Sequence, residues 1–310
     1  MIAHWDDVES FHVERAPMGL TVQRLGDAAG AMGIGVNRVR IDPGRLSTPP
    51  HSHARSEEIF FVLSGSGLLW QDEQVCEVGA GDTIVHLADR EEHTLRAGPD
   101  GLEVLIFGTR HPVEYGWLPR SRATRFGYVW IEGRVDNPWE IEEQVGELEF
   151  ADPGERSANV VALEDVEIDE DGDRMVAEAG GSVLSGLKWS VRGPNTELAI
   201  PHCHSAEEEA FVVLDGDGTL ELWPSPRSAA SGVQRETHPI RAGEVIARPP
   251  GTRVSHFIKA GANGLTCLVY GTREPNDICY YPRSNKIAFR GVGVLGRIQS
   301  LDYWDGEPHG

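Results

Sequence analysis

The sequence is short of cationic residues: 28 Lys and Arg face 49 Asp and Glu, a formal charge of −21 with the histidines neutral. That surplus repels nucleic-acid phosphates and anionic lipid, so neither nucleic acid nor membrane is expected as a partner. No apolar run approaches the roughly 18 residues of a membrane-spanning helix. The opening residues Met1-Ile2-Ala3-His4-Trp5-Asp6-Asp7 lack the basic start and apolar stretch of a secretion signal, which makes a cytoplasmic protein the expectation. Cysteine is scarce as well. Cys76, Cys203, Cys267 and Cys279 follow no disulfide spacing and suit a reducing compartment.

Glycine and proline, by contrast, are plentiful. Their 36 and 19 copies are spread along the chain and mark many turns between short strands, as in a sandwich or barrel. The 310 residues suffice for two domains, each with its own core. An internal duplication supports that division. His51, Glu58 and Gly65 recur as His202, Glu209 and Gly216, all displaced by 151 residues. Further on the displacement is 163, as in His93 to His256 and Gly108-Thr109-Arg110 to Gly271-Thr272-Arg273. A Pro/Ser/Ala/Gly-rich stretch at 224–232 accounts for the excess of 12 residues and reads as a longer loop. A fixed internal period identifies duplication better than propensity does. Asp6-Asp7-Val8-Glu9 and Glu164-Asp165-Val166-Glu167 begin the copies, and we place the boundary at Asp152-Pro153-Gly154, giving domains 1–152 and 153–310.

Each copy carries a His-x-His, a glutamate, and a later histidine behind a Gly-acid turn: His51, His53, Glu58 and His93, then His202, His204, Glu209 and His256. Residues two apart on a strand share a face, so each histidine pair converges, and Cys203 between two of them is turned away. A lone His-x-His is an ordinary pair of surface or core histidines; the full set occurring twice is not. Imidazole and carboxylate donors of this kind suit a divalent transition metal. Three histidines and a glutamate fill four positions of an octahedral ion and leave two open, as a catalytic site requires.

These residues resemble the cupin superfamily. Its first motif is met by His51, His53, Glu58 and Gly65, and again by His202, His204, Glu209 and Gly216. Its second is met by Gly243, Pro249, Gly251 and His256, whereas Leu87 and Asp89 stand where proline and glycine are expected before His93. The resemblance covers almost the whole chain. It implies an all-β bicupin, two tandem double-stranded β-helix (jelly-roll) barrels, each similar to bacterial cupins mostly of unassigned function.

Fold does not fix function, so three classes are weighed. The leading expectation, taken from the resemblance, is a dioxygenase acting on a small aromatic, enolic or diketone substrate. The alternatives are a non-redox isomerase, lyase or decarboxylase, and a small-molecule-binding cupin without catalysis. Up to two divalent ions per chain are expected; Fe(II) is favoured, with Mn, Zn, Ni and Cu open. Phe60, Val62, Phe211 and Val213 are placed inward beside the glutamates as apolar walls, which suits a flat or hydrophobic substrate. For a carboxylated substrate Arg55 and Arg248 are the candidate anchors, each set against an ordinary exposed arginine. Arg110 and Arg273 read as barrel closures. His86 reads as a satisfied core histidine rather than a fifth ligand. Glu57 and Glu208 would replace the ligand glutamates only if the strand register slipped by one.

Ile59, Phe61 and Leu63 form a second apolar face on the glutamate strand, repeated by Ala210, Val212 and Leu214. A strand apolar on both faces is buried on both, so the barrels should pack against each other or against another protomer, a dimer before anything larger. Trp130 and Trp139 call for a surface to bury against. The acidic 140–149 stretch reads as a short helix or a solvated connector, and the acids at 167–173 as a solvated hairpin tip rather than a calcium loop.

Overall fold

In a computed structural model that describes residues 1–126, 137–301 and 303–308, together with the backbone of 129–130, the chain forms two β-barrels. Each barrel is built on one long hairpin-like pair of antiparallel strands, with two shorter strands in the connection between them. Glu58–Gln71 pairs antiparallel with His93–Thr109 in the first, and Glu209–Pro224 with Val254–Thr272 in the second. Both hairpins shift register at the same place, at Val62/Ser64 and Gly65/Gly67, and at Val213/Asp215 and Gly216/Gly218. The motif glycines belong to this irregularity. Gly65 and Gly216 have φ of 82° and 81°, and a Cβ there would strike the carbonyl of Gly101 or Gly264.

Around the hairpins lie an eight-stranded and a seven-stranded sheet, each facing a four-stranded one. The two large sheets exchange their edges. Ile2–His4 pairs with the second-half strand Glu244–Arg248, and Val160–Ala162 with the first-half strand Asp82–His86. The two segments that begin the sequence copies therefore each cross to the other barrel. Both run on into a short 3-10 turn, Trp5–Asp7 and Leu163–Asp165.

Side-chain alternation divides the core into three. Phe60 and Val62 fill the first barrel with Leu95 and Val104, and Phe211 and Val213 fill the second with Leu220 and Ile258. The opposite face of the same strands, Ile59 and Phe61 with Ala210 and Val212, forms a third cluster shared by both barrels. The barrels thus pack against each other. At the centre of the shared cluster the rings of Phe107 and Tyr270, equivalent residues of the two copies, stack with centroids 5.3 Å apart.

The connector contains the helix Pro138–Val145, capped by Asn137 Oδ1, which accepts the Trp139 amide at 3.0 Å. It is not a solvated spacer. Trp139, Leu148 and Phe150 pack on the first barrel's core, and Glu142 is fully buried with its carboxylate 3.1 Å from Arg120. The side chain of Trp130 lies outside the described residues. The 224–232 stretch holds a short helix, Pro226–Ala230, because Ser225 followed by proline supplies a cap and a first turn. The acids at 167–173 are only partly solvated, since Asp173 is buried against Lys188 at 2.5 Å. Among the described residues no helix is long and apolar enough to cross a membrane.

Candidate metal centres

His51 and His93 are brought together by the backbone, each donating its amide to the other's carbonyl, at 3.2 and 2.9 Å. His202 and His256 do the same at 3.1 and 2.8 Å. The second histidine of each pair comes from a two-residue strand, Ser52–His53 or Cys203–His204, laid against the four-stranded sheet. The glutamate begins the long hairpin. In the first barrel Glu58 Oε2 lies 3.3 Å from His53 Nε2 and 3.4 Å from His93 Nε2, and the four candidate donors, His51 included, lie within 4.8 Å of one another. In the second, Glu209 Oε2 lies 3.5, 3.5 and 3.0 Å from Nε2 of His202, His204 and His256. The mutual 4.8 Å set there holds His202, His204 and Glu209, with His256 closing on the glutamate alone. The first quartet read from the sequence is brought together whole, and in the second three members converge with His256 beside their glutamate.

The fit to a cation rests on what these atoms lack. His53 Nε2, His93 Nε2, Glu209 Oε2 and His256 Nε2 are buried with no hydrogen-bond partner. Such orphans are costly unless something binds them, and here they converge on one point in each barrel. The electrostatics agree. Burial disfavours charge on His53, but Glu58 and Glu114 overcome it and raise its pKa to about 10. Burial likewise opposes charge on Glu58, yet His53 and His93 hold its carboxyl well below the usual range. Burial and the neighbouring histidines push His51 down to about 3, and burial takes His256 to about 4 against the pull of Glu209. Donor set and spacing suit a divalent metal in each barrel.

Other predicted residues lie elsewhere. Glu57 and Glu208 are buried at the barrel interface, away from the clusters. Arg55 is solvent-exposed. Arg248 is buried opposite Glu209 and gives Nη2 to the Val254 carbonyl at 3.0 Å. His86 holds the same place opposite Glu58. It is a core histidine but not a satisfied one: both ring nitrogens are unpartnered, and it stacks on His93 at 3.6 Å and 7°. The offset between His86 and Arg248 is 162, so one residue of the excess lies in the turn that follows. Up to Asp89 and Gly251 the turn is alike in both barrels, although its sequence departs from the motif, and the extra residue follows them. Asp89 takes the glycine's left-handed conformation at φ 55°, against 69° for Gly251, since aspartate tolerates it best after glycine and asparagine. Arg110 pairs with Asp27 at 2.7 Å, and Arg273 with Glu178, tying strand ends to a preceding helix.

The sequence reading missed a carboxylate beside each cluster. Asp277 Oδ2 lies 2.7 Å from His204 Nδ1, and Glu114 lies 3.6 Å from His53 Nδ1. The signal was present, because Glu114 and Asp277 are separated by the same 163 residues as the histidines. A cavity of about 580 Å³ opens on the second cluster, walled by Lys188, Tyr281, Arg273, Arg290, Glu178 and Glu207 among others. Phe211 and Val213 do not line it. They fill the barrel behind, with Phe211 edge-on to His256 at 5.5 Å.

Residues 37–106 match the cupin domain family. That match covers part of the first barrel, and the chain as a whole shares the two-barrel fold of the following solved structures. It is similar to the oxalate decarboxylase of Lactobacillus farciminis in a formate complex, at 14% identity and TM-score 0.58 over 88% of this chain and 86% of that one. Bacillus subtilis oxalate decarboxylase, with its Mn(II) centres, is similar at 16% identity and TM-score 0.59 over 89% and 78%. Hazelnut (Corylus avellana) vicilin is similar at 14% and 0.55 over 90% and 87%. At these identities the likeness is one of fold. No curated protein sequence matches the chain.

Proposed function

We propose that the chain is a metal-dependent bicupin enzyme whose second barrel acts on a small carboxylate by a non-redox reaction, decarboxylation first. One observation carries this reading: among the apolar residues that wall the cavity over His202, His204 and Glu209 stand charged groups of both signs, equal in number. Lys188, Arg273 and Arg290 stand against Glu178, Glu207 and Glu209. The buried Arg192 and Arg248 are equal in number to the buried Asp173 and Asp277, and Arg192 pairs with Asp173 at 2.8 Å. A bound divalent metal would leave two positive charges in excess, which favours an anion even in a protein as acidic as this one. The apolar walls that favoured a hydrophobic substrate and an oxygenase are barrel filling in this half. The volume lies in the range of small-ligand sites.

His202, His204, Glu209 and His256 would hold the ion, which supplies Lewis-acid polarisation of a substrate carboxylate or carbonyl oxygen. Lys188, in the cavity wall and held by Asp173 at 2.5 Å, would orient a second anionic group. Burial and the neighbouring Cys279 push the Tyr281 phenol upward, so it stays protonated and donates. When the C–C bond to a leaving carboxylate breaks, the electron pair stays on carbon, CO2 departs, and Tyr281 can return a proton to that carbon. The first barrel has Asn37 and Leu118 at these two positions, which argues for catalysis in the second.

The competing reading, an Fe(II) dioxygenase, draws on the imidazole-rich donor set. The test is turnover of small mono- and dicarboxylates by Mn(II)- and Fe(II)-loaded protein, with and without dioxygen, reading CO2 release. Equal release in both atmospheres, lost in Glu209→Ala, is the expected result. Turnover confined to the aerobic samples would favour the oxygenase.

A further inference from the structure

Each histidine of the clusters must present a bare Nε2, so the proton has to sit on Nδ1. For His51, His93 and His202 the main chain supports this arrangement. Their Nδ1 atoms face the carbonyls of Pro49, Glu91 and Ile200 at 3.0, 3.2 and 2.7 Å, and a carbonyl can only accept. His204 is different. Its Nδ1 faces a side chain, Asp277 Oδ2, at 2.7 Å.

Asp277 is 2% exposed, and its other oxygen accepts the amides of Ser205, Ala206 and Glu207 at 3.0, 2.9 and 3.2 Å, with Ser205 Oγ at 3.3 Å. One carboxylate therefore anchors the loop after the histidine pair and orients the ring. In the first barrel Glu114 accepts the Ala54 and Arg55 amides at 3.0 and 3.2 Å, but His53 Nδ1, 3.6 Å away, has no hydrogen-bond partner.

We propose that Asp277 is a positioning residue that sets the tautomer of His204 and thereby the metal affinity of the second barrel, a control that is looser in the first barrel, where Glu114 stands 3.6 Å from His53 Nδ1. The inference rests on the reading of His204 as a ligand. Asp277→Asn separates the two roles of the carboxylate. The amide oxygen can still accept from the loop, while its NH2 turned toward His204 demands an accepting Nδ1 and moves the ring proton to Nε2. Asp277→Ala removes the loop anchor but leaves Glu207 Oε2, 3.5 Å from His204 Nδ1, which can only accept and so still favours the proton on Nδ1.

The experiment is Mn(II) binding by chelator competition in the Glu58→Ala background, with urea unfolding of the metal-free proteins alongside. Asp277→Asn is expected to lose about 10- to 100-fold in affinity, the usual cost of disturbing such an outer partner. It should lose more affinity than Asp277→Ala while unfolding at higher urea than Asp277→Ala. The 15N shifts of His204 in metal-free Asp277→Asn should report protonated Nε2. A purely structural role would rank the two variants alike in both measurements, and that ranking, or wild-type affinity in Asp277→Asn, overturns the inference. His204→Ala should abolish second-barrel binding; retained metal there would overturn the ligand reading, and this inference with it.

Discussion

Glu57 and Glu208 stand at equivalent positions, and each buries its carboxylate in the other half of the molecule. Glu57 accepts from Ser182 Oγ and Ser185 Oγ at 2.6 Å each, and from the amides of Val183, Leu184 and Ser185 at 2.8, 3.2 and 3.1 Å. Glu208 accepts the amides of Met32 and Gly33 at 2.8 and 2.5 Å. Adjacent residues on one strand point to opposite faces, so Glu57 clasps the second barrel while Glu58 faces the first cluster.

Glu57→Ala removes the acceptor and leaves five donors behind, several of them buried. We expect a loss of about 3 kcal/mol in urea unfolding, as for other broken buried charge networks. Metal bound at saturating Mn(II) should be unchanged in the folded variant. A loss of metal with unaltered stability would place Glu57 in the cluster instead.

Most of the architecture was legible in the sequence because it is periodic. Duplicated ligand sets, the alternation of Phe60 and Val62 against Ile59 and Phe61, and the paired glycines all follow from strand geometry. What escaped was set by tertiary contact. The edge exchange of Ile2–His4 and Val160–Ala162 leaves no local mark, since strand alternation gives a face but not a partner. Asp277 lies far along the chain from His204, and nothing at Asp277 itself names its partner. The cavity walls come from scattered strand positions, so Phe211 could not be told from a substrate wall by pattern alone.

Asp89 offers a test of the turn before His93. Its amide donates to the His53 carbonyl at 2.6 Å, as Gly251 does to His204 at 2.9 Å. Asp89→Gly should be tolerated, whereas Asp89→Val should lose about 1–2 kcal/mol in urea unfolding, because a β-branched residue is strained in the left-handed region. Equal stability of the two variants would contradict the shared turn.

Acid should act through Asp173. Burial opposes its charge, but Lys188 and Ser190 lower its pKa in the folded protein. A depressed carboxylate contributes stability above its unfolded pKa, near about 3.9, and that contribution is lost as pH falls through the folded value. Asp173→Asn should therefore be less stable than wild type at neutral pH, and the gap should narrow as pH drops below about 4. A gap that stays constant from neutral to acid pH would show that the charge of Asp173 is not what stabilises.

The most direct test of two built metal sites is the divalent metal content of chelator-stripped protein reloaded with Mn(II) and freed of excess. The account predicts two equivalents per chain for the wild type, one each for Glu58→Ala and Glu209→Ala, and none when both are changed. A wild-type content near zero, or a double variant that still holds metal, would contradict it.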